Sequence, residues 1–447
     1  MQVQADALQN RLDELKGDIF DKIKEFQTVK AQLKAQSPQK FIGYAGAVYD
    51  HEELIAMTDT MLDGWFALGK RGKLFADKLS EFVQTRHTVL TNSGSSANLV
   101  AISSLLSPEL PNPLQPGDEV ITPACTFPTT LNPIIQNGLV PVFVDVDLGS
   151  YNMNLDQVEN AISDKTRAIF FAHTLANPVN MARLMEIANK HQLIVIEDCC
   201  DAIGSTYNGQ NVGTFGLLST CSFYPAHHLT TAGEGGAVFV NAGQKVQRIV
   251  YSFTNWGRAC WCSSDEKNPL GACNARFNFK VDGIAYDHKF LYSHIGYNLK
   301  PTEIQVAMGL AQLEKLPDFI AARKRNFYAF HQGLSHLSDA LILPQWEKAA
   351  DPSWFAFPMT VREDMPFSRE DLVHHLEENG IQTRNLFAGN ILRHPAYRDS
   401  RWEVRAELKN SDLVMKNTFF VGVYPGLSEA NIEFIIDSIS SFVRGRV

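Results

Sequence analysis

From Val89 onward, short apolar runs alternate with stretches of helical periodicity: residues 89–91, a helix from Ser95, residues 119–122, 141–144 and 168–172, a helix near 182–190, then residues 193–197. Strands that alternate with helices predict an α/β domain around a largely parallel sheet, because parallel neighbours need a crossover that a helix supplies. Residues 3–36 place Leu8, Leu12, Leu15, Ile19, Ile23 and Phe26 at three- and four-residue spacings among charges, which predicts an N-terminal helix or helix pair. Two further helices, 302–316 and 319–334, are expected to lead out of the large domain. After them the pattern reads as α+β: a strand at 355–361, a helix at 369–379 stopped by Gly380, and a closing helix at 430–443. The expected division is an N-terminal helical segment (1–42), a large domain (43–316) and a smaller C-terminal domain (317–447). A chain of 447 residues can bury the core this requires.

The formal charge of −9 argues against nucleic acid or an anionic membrane as partner, since both call for a basic surface. The N-terminal stretch is polar, with Asp6, Glu14 and Lys16, and lacks an apolar signal core; no apolar run reaches spanning length. A cytoplasmic enzyme is therefore expected. Seven cysteines without a secretion signal point to reduced thiols or metal ligands rather than a disulfide framework.

Three segments suit a flat, phosphorylated ligand. Asn92-Ser93-Gly94-Ser95-Ser96-Ala97-Asn98 lies between a strand and a helix, so its backbone N–H groups can face a phosphate, although a Gly-Ser turn that only caps a helix reads equally well. Asp198 ends the buried run Ile194-Val-Ile-Glu-Asp, where α/β sheets place ligands, and could pair with a protonated pyridine nitrogen; an acid capping the next turn is the plain alternative. Phe127, in Thr126-Phe127-Pro128, offers a ring for stacking, while a lone loop phenylalanine is more often core.

Together these segments resemble the fold-type-I, aspartate-aminotransferase-like superfamily, and within it the DegT/DnrJ/EryC1/StrS sugar aminotransferase family, from about Gly43 to the C-terminus. The motifs that carry the resemblance are Gly94-Ser-Ser-Ala-Asn98, Glu197-Asp198, Ser222-Phe-Tyr-Pro, Gly233-Glu-Gly-Gly236 and Gly296-Tyr-Asn298-Leu-Lys-Pro-Thr-Glu303-Ile-Gln. The resemblance implies that Gly94, Ser95 and Ser222 hold the phosphate of pyridoxal or pyridoxamine phosphate, Phe127 stacks on its ring and Asp198 meets its nitrogen. Asn298 is similar to the residue that reaches the phosphate of a neighbouring subunit, which implies a homodimer.

One departure changes the implied chemistry. No lysine occurs between Lys190 and Lys245, and His227 stands where the family carries its Schiff-base lysine. Histidine cannot hold the coenzyme covalently or pass on an amino group, yet it can take up a proton near neutral pH. Pro225-Ala-His227-His228 resembles the motif of the family's sugar 3-dehydrases. Asp201 occupies a position where transaminating relatives carry histidine or glutamine, and Tyr224 is the candidate to orient or protonate a leaving hydroxyl. Arg384, Asn385 and His394 resemble the segment that contacts the sugar nucleotide.

Cys200 follows Asp198 by two residues, and Cys260-Trp-Cys262 with Cys273 comes some sixty residues later. Four thiolates can complete a [2Fe–2S] or a tetrahedral zinc site; the Cys-x-Cys step mildly disfavours zinc. Cys125, Cys199 and Cys221 read as core. The four resemble the cluster ligands of the family's iron–sulfur 3-dehydrases, as do Phe253-Thr-Asn-Trp-Gly-Arg-Ala-Cys-Trp-Cys, Tyr286-Asp-His-Lys, Asp351-Pro-Ser-Trp-Phe and Leu386-Phe-Ala-Gly-Asn. The loop between Cys262 and Cys273 is longer than in those relatives. The resemblance implies removal of the C-3 hydroxyl from a nucleotide-linked 4-keto-6-deoxyhexose, with CDP-4-keto-6-deoxyglucose the nearest pattern. His227 would act as base, and electrons would come from a separate NAD(P)H-dependent flavin reductase, since the chain shows no dinucleotide fingerprint. Cluster-independent dehydration of a GDP-4-keto-6-deoxymannose type, a TDP-sugar 3-dehydrase and a silent homologue are the alternatives.

Overall fold

The computed structural model describes residues 2–36, 41–261 and 276–447, so Cys262 and Cys273 lie outside the described residues. An eight-stranded sheet forms the centre, in the order His87–Thr91, Gly236–Val240, Leu218–Ser222, Ile194–Asp198, Thr166–Ala172, Glu119–Pro123, Val140–Val144 and Glu403–Val404. Gly236–Val240 runs antiparallel to both neighbours and every other pairing is parallel. The fold-type-I α/β architecture expected from the sequence is what the chain adopts.

Successive residues of the central strands enter different cores, as the two-residue repeat of a strand demands. Val120, Phe143, Phe170 and Ile196 pack on one side with the helix Gly94–Leu105, while Ile121, Val142, Ile169 and Val195 pack on the other with the helix Met181–His191. Both faces are thus covered, and the polar ends of the strands are where side chains can converge on a ligand.

A second, antiparallel sheet joins Leu341–Ile342, Ala356–Val361, Thr418–Gly422 and Arg384–Asn385. Its core gathers Phe327, Phe330, Trp354 and Phe357, with the Trp354 and Phe327 rings stacked at 3.6 Å between centroids. The expected helix pair 302–316 and 319–334 is one helix, Glu303–Leu334, with Pro317 inside it. Proline removes one hydrogen bond there, but apolar contacts on either side, from Leu313 and Leu316 to Phe327 and Phe330, hold the helix through it. The expected domain boundary at 316/317 therefore runs through the helix.

Residues 2–36 form a single helix, Gln2–Gln36, which packs against His51–Asp63 through Lys16 and Asp59 and leaves Leu8, Leu12 and Phe26 exposed. No helix among the described residues is long and apolar enough to cross a membrane.

Candidate active site

A cavity of about 490 Å³ opens at the carboxyl ends of the central strands. Four strand-to-loop junctions supply one wall: Ser93, Gly94 and Ser95; Phe127 and Thr129; Asp198, Cys200 and Asp201; and Ser222, Tyr224 and His227. Tyr44, Phe355, Arg384, Asn385, Phe387 and Phe420 supply another. No lysine lines it among the described residues.

Gly94 opens the helix Gly94–Leu105, and Ser93 caps it by accepting from Ser96 N at 3.0 Å. The helix N-terminus therefore presents free N–H groups to the cavity, a ready anion site. A Cβ on Gly94 would stand 2.5 Å from Ser222 Cβ and 2.9 Å from Cys200 Sγ. Gly94→Ala is expected to destabilise by about 1–3 kcal/mol through overpacking and to weaken coenzyme binding, as read by thermal unfolding and by titration with pyridoxamine phosphate; an unchanged affinity would remove Gly94 from the phosphate cradle.

Asp198 is 4% exposed. Its Oδ2 accepts from Asn98 Nδ2 at 2.8 Å and Thr130 Oγ1 at 2.7 Å, and its Oδ1 from Cys200 N at 3.0 Å. Thr220 Oγ1 donates in turn to Asn98 Oδ1 at 2.5 Å. Three donors fix the orientation of the carboxylate at the cavity wall, more than a turn cap requires. The preceding Glu197 faces the other way: its oxygens accept from the backbone N–H of Gly213, Phe215 and Gly216 at 2.7–2.9 Å and lie 3.1 Å from His173 Nε2. His173 Nδ1 accepts from Val179 N, so Nε2 carries the proton and donates to Glu197. His173, Glu197 and Cys199 are close enough to suggest a metal, but these bonds already occupy the carboxylate and the ring.

The two adjacent histidines have different fates. His228 is buried, accepts or donates at Ser353 Oγ (2.9 Å) and faces Ser353 O (3.2 Å); burial, with Arg323 and His227 nearby, holds its ring well below the ordinary histidine range and thus neutral. His227 lines the cavity instead, with Nδ1 3.1 Å from Asp201 Oδ1, although off the line of a well-directed hydrogen bond. The backbone of its turn is tied by Arg323, whose Nη2 donates to His227 O at 2.8 Å and to Ala226 O at 3.3 Å. Burial pushes this guanidinium down to about 10, against the favourable field of Asp201. Sequence reasoning missed Arg323, because a basic residue within a long helix reads as a solvated one.

Tyr224 is 48% exposed and Phe127 49%, both at the cavity rim. Tyr44, with the Arg384 guanidinium 4.4 Å over its ring, and Phe387, at a φ of +44°, were also missed. Leu175, at φ +50°, is a further strained residue on the wall. His394 does not line this cavity, and its Nε2 lies 2.9 Å from Ala388 O. Asn298 lies outside this cavity, paired through Lys300 Nζ at 2.9 Å. Lys300 is pushed down to about 8 by burial and by Arg258, and it sits over the Trp256 ring.

Cys200 lines the cavity, where burial, reinforced by Asp198, raises its thiol well above the usual range. Cys125, Cys199 and Cys221 are buried and likewise raised by burial, as core thiols should be. Cys260 is buried in a different loop. A second cleft of about 370 Å³, between Asp147 and Glu347, holds none of the candidate residues.

The cavity fits a phosphorylated pyridine ring: an anion site at one end, a fixed carboxylate, an aromatic rim, and a glycine whose side chain would intrude. Comparison with known proteins agrees. "Lipopolysaccharide biosynthesis protein RfbH" of Salmonella typhimurium is 46% identical, covering 92% of this chain and 94% of its own length. "dTDP-4-dehydro-2,6-dideoxy-D-glucose 3-dehydratase" of Saccharopolyspora spinosa is 48% identical, covering 89% and 86%. The solved structure of Escherichia coli GDP-4-keto-6-deoxy-D-mannose-3-dehydratase with bound hydrated PLP superposes with a TM-score of 0.78 at 29% identity, over 89% of this chain and 98% of that one. The sequence pattern of the DegT/DnrJ/EryC1/StrS aminotransferase family matches residues 48–440. With nearly the whole chain beyond the first helix matched in sequence and fold, this protein belongs to the DegT/DnrJ/EryC1/StrS aminotransferase family.

Proposed function

We propose that this chain is a pyridoxamine-phosphate-dependent 3-dehydrase of a nucleotide-linked 4-keto-6-deoxyhexose, and that a [2Fe–2S] cluster delivers the electrons. The observation that carries the reading is His227, set against Asp201 in a cavity that no lysine lines among the described residues. When bound, pyridoxamine phosphate supplies the amine that engages the 4-keto group and a ring that accepts electrons. Ser95, Ser222 and the helix N-terminus at Gly94 hold its phosphate, Phe127 covers the ring and Asp198 keeps the ring nitrogen protonated.

Asp201 favours the tautomer with the proton on His227 Nδ1, which leaves Nε2 free to take up and return a proton. Tyr224, at the rim beside His227, orients the departing C-3 hydroxyl, and Arg384 and Asn385 on the opposite wall bind the sugar nucleotide. In the net reaction the C-3 hydroxyl leaves as water, and two electrons and two protons replace it with hydrogen. A [2Fe–2S] cluster, when bound, would supply electrons one at a time, with NAD(P)H and a flavin reductase as their source. Cys200, Cys260, Cys262 and Cys273 are the proposed ligands; the first lines the coenzyme cavity, which keeps the transfer short. The chain acts as a homodimer in which Asn298 reaches the neighbouring coenzyme, with the large and small domains as divided above. CDP-4-keto-6-deoxyglucose is the substrate proposed for the first test, with the dTDP sugar as comparator.

Anaerobic purification followed by iron and sulfide assay tests the reading. About two irons and two sulfides per chain are expected, with turnover of the CDP sugar only when a flavin reductase is present. Iron-free protein that dehydrates its substrate with coenzyme and glutamate alone would replace this reading with the cluster-independent one.

A further inference from the structure

The Tyr286-Asp287-His288-Lys289 segment takes no part in the coenzyme cavity, yet it buries a histidine against a cysteine. His288 Nε2 lies 3.0 Å from Cys260 Sγ, and the two residues are 4% and 7% exposed. Both chain segments are fastened to hold this contact. Ala259 N donates to Leu291 O at 2.9 Å and Arg258 pairs with Tyr292, which sets the cysteine segment against the turn His288–Phe290. His288 N donates to Arg276 O at 2.9 Å. Asp287 caps the turn by accepting from Lys289 N at 3.0 Å and holds Arg276 through Nε at 2.7 Å and Nη2 at 2.6 Å. The Phe279 ring packs 5.2 Å from the imidazole. Such bracing positions one ring nitrogen on one sulfur, which apolar packing alone would not require.

We propose that His288 is a positioning residue that donates a hydrogen bond from Nε2 to the Cys260 sulfur and thereby raises the reduction potential of the iron–sulfur centre. The inference rests on the cluster reading above. A donor on a ligand sulfur draws off electron density and so stabilises the reduced, more negative centre. The same bond fixes the rotamer of Cys260 before iron is bound.

The test uses the full chain, purified anaerobically as wild type, His288→Phe and His288→Gln, with iron content and an EPR-monitored redox titration as readouts and pyridoxamine phosphate binding as the fold control. His288→Phe should keep its iron and show an equilibrium constant for reduction about tenfold lower, or 59 mV for one electron. His288→Gln keeps an N–H donor and should recover most of that shift. A wild type with its iron and a potential unmoved by His288→Phe overturns the inference alone. Loss of iron from both variants, with coenzyme binding intact, overturns it in favour of direct ligation. A wild type that takes up no iron removes the cluster reading and the inference with it. If His288→Phe fails to bind the coenzyme, pulsed EPR on ¹⁵N-histidine wild type decides: weak nitrogen coupling supports a hydrogen bond, and the strong coupling of a ligating nitrogen overturns it.

Discussion

Replacing His227 with asparagine is expected to lower turnover by about 10²–10⁴-fold, the usual worth of a positioned acid–base group, while the affinity for pyridoxamine phosphate stays near that of the wild type. Asparagine matches the ring's size closely enough to leave the Tyr224–His228 turn in place, since Arg323 fastens that turn through backbone carbonyls. What the amide lacks is a nitrogen that can take up a proton. The two measurements separate the roles: single-turnover rates report the proton transfer, and equilibrium titration reports the cavity. A variant that turns over at the wild-type rate would take His227 out of the chemistry.

Asp198→Asn should act on both quantities. Asn98 Nδ2, Thr130 Oγ1 and Cys200 N all point donors at this carboxylate. An amide in its place turns an NH₂ group toward at least one of them, and an unmet buried donor costs about 1–3 kcal/mol. That cost falls on folding stability; coenzyme affinity is expected to fall by roughly ten- to 150-fold because the ring nitrogen loses a charged hydrogen-bond partner worth about 1.5–3 kcal/mol. Turnover should fall further, because a neutral partner no longer holds a proton on the ring nitrogen. Calorimetric titration of the apo variant, set beside its rate at saturating coenzyme, measures the two parts. Equal affinity and equal rate would show that Asp198 only caps the turn that follows it.

The parts of this site that could be read from the sequence are those fixed by local backbone. Ser93-Gly94-Ser95 announces a helix N-terminus after a strand, and Ile194–Asp198 announces a buried strand with acids at its end; both stand where expected. Leu218–Ser222 and Gly236–Val240 escaped, because Ser219, Thr220 and Ser222 dilute the apolar run of one and glycines flank the other. Tyr44, Arg323 and Phe387 come to the site from distant parts of the chain, so no local periodicity marks them. The choice of His227 over His228 came only from the family resemblance, since local pattern does not separate them: neighbours in sequence, they differ in whether Ser353 or the cavity meets the ring.

Glu197 and Asp198 are consecutive residues of one strand, and their side chains serve opposite sides of the sheet. The first stitches the Gly213–Gly216 turn to the protein's interior, and the second addresses the coenzyme. Sliding the strand by a single position would either bring Glu197 to the cavity and set Ile196 before the three backbone donors of the turn, or bring Cys199 to the cavity and set the shorter Asp198 before them. An insertion directly after Asp198 would displace Cys200 and Asp201 from the cavity, and a one-residue deletion between Ile194 and Glu197 would remove an anchor and a working group together. In any attempt to graft this chemistry onto a lysine-bearing relative, the whole strand and its glycine turn form the smallest portable unit.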